Sequence, residues 1–219
     1  MSVLARRSRP GALAVLAACA AVGLVSGCAS SSSPQPSASA SASELNDHAG
    51  GPYQGVGLIP PQPRPQFTLT DTAGKAFNFG TQTAGKPTLL YFGYTNCPDV
   101  CPTTMADIAN ALSMVPAGIR ARTEVIFVTT DVKHDTGPVL KRYLAKFDVA
   151  LPNKFIGLYG TQNQIDTAQV AAHVTLAEGD GQNHSAQVLL YGTDDYARVS
   201  FLQSTNETTQ IAHDLPMVG

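Results

Sequence analysis

Three features of the 219-residue sequence predict an α/β fold. An apolar, β-branched run ends in a pair of cysteines and passes straight into a segment with helical spacing. A second apolar run follows that segment. The chain then closes with a hairpin pattern and a final helix pattern. Strand, helix and strand in succession, with cysteines at the first strand-to-helix turn, set the frame for everything else.

In chain order, the first segment is read as a signal and not as part of the fold. Arg6, Arg7 and Arg9 precede a long apolar run from Gly11 to Leu24. A basic region followed by an apolar one is the pattern of a secretory signal peptide. It ends in Leu24-Val25-Ser26-Gly27-Cys28, which resembles a bacterial lipobox. That resemblance implies removal of residues 1–28 up to Cys28, lipid on Cys28 and an extracytoplasmic, membrane-anchored protein. Without the three signal arginines, 11 basic residues face 16 acidic ones. Nothing in this balance points to nucleic acid.

Residues 29–64 are expected to form a flexible tether. Ala29 to Ser43 is Ser, Ala, Pro and Gln with no large apolar residue, and Gly and Pro stay frequent up to Arg64. Such a composition buries too little surface to offset ordering entropy. The folded domain is expected over residues 65–219, a length of about 155 that suits one core.

Within it, Gln66–Thr70 and Ala76–Phe79 flank Asp71-Thr72-Ala73-Gly74-Lys75 and read as an N-terminal hairpin. Pro87–Phe92 reads as a buried strand. Met105, Ile108, Leu112 and Val115 mark the apolar face of the next helix, with Pro98 suited to its first position. Glu124–Thr130 is a second buried strand. Val139–Phe147 and Gln162–Ala172 read as helices, and Asp135 as a helix cap. Gln187–Tyr191 and Ala197–Leu202 enclose a turn at Gly192–Tyr196, and a helix begins near Asn206 with Glu207 in its first turn. A dithiol at the first strand-to-helix turn of this order points to a thioredoxin-like fold, with an N-terminal hairpin and an inserted loop before the last hairpin. No apolar stretch after the signal is long enough to span a bilayer.

The chemistry centres on Cys97 and Cys101. A helix start offers free N–H groups and a positive dipole end, which favour thiolate; cysteines so placed titrate at roughly 3.5–7.5 instead of about 8.5. Four residues apart, the two could form a redox disulfide, a plain structural bridge, or two ligands to one soft ion. Cys19 falls in the signal and Cys28 at its end, so the mature domain holds this dithiol alone.

Histidine is the third group. His48 falls in the tether, while His173 and His213 read as surface or packing residues. His184 stands in the polar loop Gly179–Ser185 that leads into a strand, which a thioredoxin-like fold sets beside the cysteine turn. Two thiolates and an imidazole suit Cu(I), or zinc if a fourth ligand joins.

Tyr94-Thr95-Asn96-Cys97-Pro98-Asp99-Val100-Cys101-Pro102, followed by Thr130–Thr136 and by His184-Ser185, resembles the Sco/SenC family. That resemblance implies a membrane-anchored, thioredoxin-like copper chaperone that assists assembly of the CuA site in cytochrome c oxidase subunit II. It places copper, as Cu(I) with Cu(II) left open, on Cys97, Cys101 and His184. Asp131 and Asp135 match acidic positions of the family. Asn183 stands where the family commonly has an acidic residue. The sequence names neither a copper donor nor a reductant.

The competing expectation is an extracytoplasmic thiol–disulfide oxidoreductase acting on the CuA-site cysteines, with Cys97 as nucleophile and Cys101 resolving. It has no use for a distant imidazole, and no proline lies between Pro152 and Pro216 to supply the cis-proline such enzymes keep near that loop. A thiol peroxidase is disfavoured because Tyr94, not threonine, stands three residues before Cys97.

Overall fold

The computed structural model describes residues 51–219. The expected signal, the lipobox Cys28, His48 and most of the expected tether lie outside the described residues.

One sheet of eight strands organises these residues. The strands, in chain order, are β1 (Val56–Pro63), β2 (Thr68–Asp71), β3 (Ala76–Asn78), β4 (Thr88–Gly93), β5 (Glu124–Thr129), β6 (Ile156–Tyr159), β7 (Val188–Tyr191) and β8 (Tyr196–Phe201). Their spatial order is β1-β8-β7-β4-β5-β6-β2-β3. β4, β5 and β6 run parallel, while β7 pairs antiparallel with β4 and with β8. The helices are α1 (Phe79–Gln82), α2 (Val100–Met114), α3 (Ala117–Arg122), α4 (Gly137–Leu144), α5 (Gln162–Ala171) and α6 (Glu207–Val218).

β4 is apolar along nearly its whole length because both of its faces are covered. Leu89 and Tyr91 point to one face, with Val125, Phe127, Val188 and Leu190, and pack against Met105, Ile108 and Leu112 of α2, Leu140 and Leu144 of α4, and Ile211 and Leu215 of α6. Leu90 and Phe92 point to the other, with Ile126, Val128 and Leu189, against Ile165 and Ala168 of α5 and Phe67, Leu69, Phe77 and Phe79. Each such side chain contributes about 1.5–3 kcal/mol by leaving water. α5 starts on a capping box, with Thr161 and Gln164 each satisfying the other's backbone N–H.

The expected start of the domain at Pro65 is corrected. Val56–Pro63 is β1, paired antiparallel with β8, although it holds Pro60, Pro61 and Pro63. It is the outermost strand, and an edge strand tolerates residues that cannot donate to a neighbour. Two anchors fix this stretch. Asp214 of α6 accepts the backbone N–H of Gln54 at 2.8 Å and of Gly55 at 2.8 Å. Arg64, expected to end the tether, is buried and donates to Asp195, Thr83, Thr88, Lys86 O and Gly192 O.

The N-terminal hairpin is present as β2 and β3, with Phe79 opening α1 in place of ending a strand. β6 and α3 were not expected. The inserted loop runs from His173 to Gln187, and a bridge between Glu178 and Asn183 closes its tip. The final hairpin is β7 and β8.

Candidate metal centre

Cys97 and Cys101 lie where β4 gives way to α2. After Gly93 the chain turns, the Cys97 N–H reaching Tyr94 O at 3.4 Å. α2 then begins at Val100, so Pro98 belongs to the turn and does not hold the first helical position. Cys101 is the second residue of the helix, and its N–H has no partner within it. The Sγ of Cys97 takes that N–H at 3.3 Å, whereas Asp99 at the cap makes no side-chain bond.

The two thiols are unbridged and unequal. Partial burial works against ionisation of Cys97, but the N–H groups of Cys101 and Asp99 outweigh it and hold its pKa below the ordinary thiol value. Cys101 has no exposed surface, and burial pushes it up to about 12 despite a hydrogen bond from Tyr91 Oη at 3.4 Å. The expectation of an acidified dithiol therefore holds for one cysteine only.

His184 meets them from the loop before β7. Its Nδ1 lies 2.9 Å from Ser185 O, and a carbonyl can only accept, so Nδ1 carries the proton. Nε2 is left with its lone pair, 3.7 Å from Cys101 Sγ. The imidazole stands edge-on to Tyr94, with ring centroids 5.6 Å apart, and to Tyr91 at 6.3 Å. Burial lowers its pKa, partly offset by Ser185, which keeps the ring neutral and able to ligate. A cleft of about 230 Å³ opens between these groups, lined by Tyr94, Cys97, Pro98, Gln182, His184 and Ala186. A roomier cleft of about 430 Å³ beside α4 holds Lys141 and Lys154 but neither thiol nor imidazole. Among the described residues no three His, Cys, Asp or Glu side chains are grouped so as to hold a metal ion. Cys97 and His184 line the cleft, and Cys101 lies buried behind them with its sulfur 3.7 Å from His184 Nε2.

Asp135 is not a helix cap; Thr136 precedes α4 and makes no capping bond. The buried Asp135 carboxylate instead accepts from Thr95 N (2.9 Å), Thr95 Oγ1 (2.5 Å) and Thr129 Oγ1 (2.6 Å). It ties the cysteine turn to the end of β5. Asp131 turns its own loop, accepting from Lys133 N and His134 N, each at 3.2 Å, and from the His134 ring. His134, His173 and His213 all lie outside the cleft lining. Asn183 donates to Glu178 at 3.2 Å and so holds a carboxylate on the same loop. Tyr91 and Thr129, in β4 and β5, carry no signal as site residues in the sequence.

The family model described as SCO1/SenC matches residues 60–218. The chain belongs to the SCO1/SenC family. The match starts inside β1, in keeping with a fold that begins ahead of Pro65. A SCO2-like protein of Rickettsia felis is 34% identical over 143 residues, which cover 64% of this chain and 63% of that relative. The chain thus spans less than two thirds of that relative's length. Among solved structures, ScoI of Bradyrhizobium japonicum with copper bound is 33% identical with a TM-score of 0.58, covering 71% of this chain and 99% of that one. Apo Sco1 of Thermus thermophilus is 28% identical with a TM-score of 0.65, covering 78% of this chain and 99% of that one. The open sheet with helices on both faces is the thioredoxin-like fold of these SCO1/SenC structures.

Proposed function

We propose that this SCO1/SenC protein is a copper metallochaperone. It takes copper on Cys97, Cys101 and His184 and passes it to the CuA site of cytochrome c oxidase subunit II. The observation that carries the reading is the unprotonated Nε2 of His184 set 3.7 Å from the Cys101 sulfur, beside an open cleft that Cys97 and His184 line. Two thiolates and a neutral imidazole match the preferences of Cu(I), and the imidazole also suits Cu(II). Copper bound in the Bradyrhizobium relative supports the choice of metal. An open cleft lets a partner's thiolate enter before the donor's ligands leave. Lipid on Cys28, followed by a tether, would keep the domain at the outer face of the membrane.

One observation favours a second reading. A more acidic, half-exposed Cys97 beside a buried, high-pKa Cys101 is the asymmetry of an attacking and a resolving thiol. As a reductase, Cys97 would attack a disulfide of the partner, and Cys101 would release the reduced partner while the Cys97–Cys101 bond forms.

The deciding experiment titrates the reduced protein with Cu(I) and counts free thiols, then mixes it with a soluble CuA domain. One copper per chain, two thiols protected and copper appearing in the CuA domain is the expected result. No copper uptake together with stoichiometric reduction of an oxidised CuA domain would hand the lead to the reductase reading.

A further inference from the structure

We infer that Thr130 is a positioning residue for His184, its hydroxyl holding the histidine loop in register with the cysteine strand. The inference rests on the copper-site reading for its purpose but not for its geometry. Thr130 directly follows β5 and has no exposed surface. Its N–H donates to Gly93 O at 2.8 Å, the last residue of the strand that leads to the cysteines. Its Oγ1 lies 2.6 Å from Gly181 O and 3.2 Å from Gly93 O. A hydroxyl has one proton to give. Gly93 O is already served by the Thr130 amide, so the proton goes to the nearer carbonyl of Gly181, three residues before His184.

That bond has few companions. The early half of the loop is held to α5 by Gln169, which bonds Thr175 O and Ala177 N. Between Glu178 and Gln187 the bonds of the loop are internal, such as Glu178 N to Asn183 O and His184 Nδ1 to Ser185 O. Among the described residues, the Thr130 bond is what joins this half to the sheet, apart from the His184–Cys101 contact itself and the start of β7. Gly181 fits the same account. Its φ is +88°, and a Cβ there would lie 2.0 Å from Thr130 O. The loop approaches β5 closer than any side chain allows.

With the Thr130 hydroxyl removed, a buried carbonyl loses its donor and the loop gains freedom. His184 would then sample positions away from Cys101, and a ligand that must first be found binds more weakly. Loss of a residue that orients a ligand typically weakens metal binding by about 10–100-fold.

The test uses the full chain with Thr130→Val, Thr130→Ser and Gly181→Ala. The first measurement is metal-free: NMR of the His184 ring, whose signals are shifted by the adjacent Tyr94 and Tyr91 rings. The second is the Cu(II) form, followed by affinity and by nitrogen hyperfine coupling in its EPR spectrum. Thr130→Val and Gly181→Ala are expected to move His184 signals toward solvent-exposed values and to weaken copper by about 10–100-fold with loss of the nitrogen coupling. Thr130→Ser, which keeps the hydroxyl, is expected to match the unsubstituted protein. Unchanged His184 signals in Thr130→Val overturn the inference, as does Thr130→Ser behaving like Thr130→Val. Should Thr130→Val not fold, Thr130→Ala, which removes the hydroxyl and adds no bulk, decides by the same ring signals. Displaced ring signals in a protein that takes up no copper in any form would sink the chaperone reading and leave the positioning role standing.

Discussion

The Sγ of Cys97 accepts the backbone N–H of Cys101 at 3.3 Å, so one cysteine caps the helix that carries the other. A helix start that would otherwise rely on water thereby lends its first turn to a sulfur, and negative charge on that sulfur is favoured. Cys101 accepts from Tyr91 Oη, but its sulfur has no exposed surface and burial outweighs that bond.

Alkylation should therefore be sequential. At neutral pH a small alkylating reagent is expected to modify Cys97 quickly and Cys101 only in strongly alkaline solution or after unfolding. The check is mass spectrometry of digests taken over time at several pH values. Equal rates at the two sites would contradict the capped geometry.

His184→Ala should leave the fold nearly unchanged, since it loses one bond to Ser185 O and costs about 1 kcal/mol. Copper binding should suffer, and Cu(II) more than Cu(I), because two thiolates alone still suit the reduced ion. The pH dependence follows from the lowered pKa of this ring. Protons should compete with copper for His184 only below the ordinary imidazole value of about 6.5. Competitive titration in both oxidation states, repeated across that pH range, measures each point.

Asp135→Ala should cost about 1–3 kcal/mol in urea unfolding, because Thr95 N–H, Thr95 Oγ1 and Thr129 Oγ1 all lose their acceptor. Asp135→Asn keeps one acceptor oxygen and should cost less. The same variants should raise the alkylation rate of Cys97, whose turn this carboxylate holds; a destabilised protein with unaltered Cys97 reactivity would refute that link.

Glu207 gives the fold a pH dependence of its own. It opens α6 without exposed surface, both carboxyl oxygens lack a partner, and burial with Asp107 nearby pushes its pKa up to about 7. From about 4.3 in the unfolded chain to 7 in the fold, the native state keeps a proton that the unfolded state has released. Its contribution is therefore most favourable below that window and is lost as pH rises through it. Glu207→Gln should remove the decline and stabilise the protein above pH 7 by on the order of 3 kcal/mol. Urea midpoints from pH 5 to 8 test this; parallel profiles for the two proteins would exclude it.

The cysteine turn was legible because its signals are local: β4 is continuous and apolar, and α2 repeats its apolar residues at three and four. β1 was hidden because three prolines in eight residues argue against a strand unless it is known to be outermost. β6, Ile156-Gly157-Leu158-Tyr159, is too short to show a period and includes a glycine. Arg64 looked like the end of a tether because its partners, Thr83, Thr88, Asp195 and Gly192, are distant in sequence. Asp135 has the composition of a cap and the position of a brace; only tertiary packing tells these apart. His184 could be assigned to the cleft from the fold, but the proton on its Nδ1 depends on Ser185 O and appears only in three dimensions.

The buried Cys101 also has a consequence in time. Burial holds the Cys101 pKa far above neutral pH, so its sulfur keeps its proton there. Closure of a disulfide on Cys97 needs the Cys101 thiolate as the second nucleophile, so oxidation in air or by small disulfides starts from a very small pool. A metal ion engaging Cys97 and His184 first could draw the Cys101 proton off as the third bond forms. The pair would thus hold a lead over oxidation for as long as the proton stays on Cys101, a waiting period set by the depth at which one sulfur is buried.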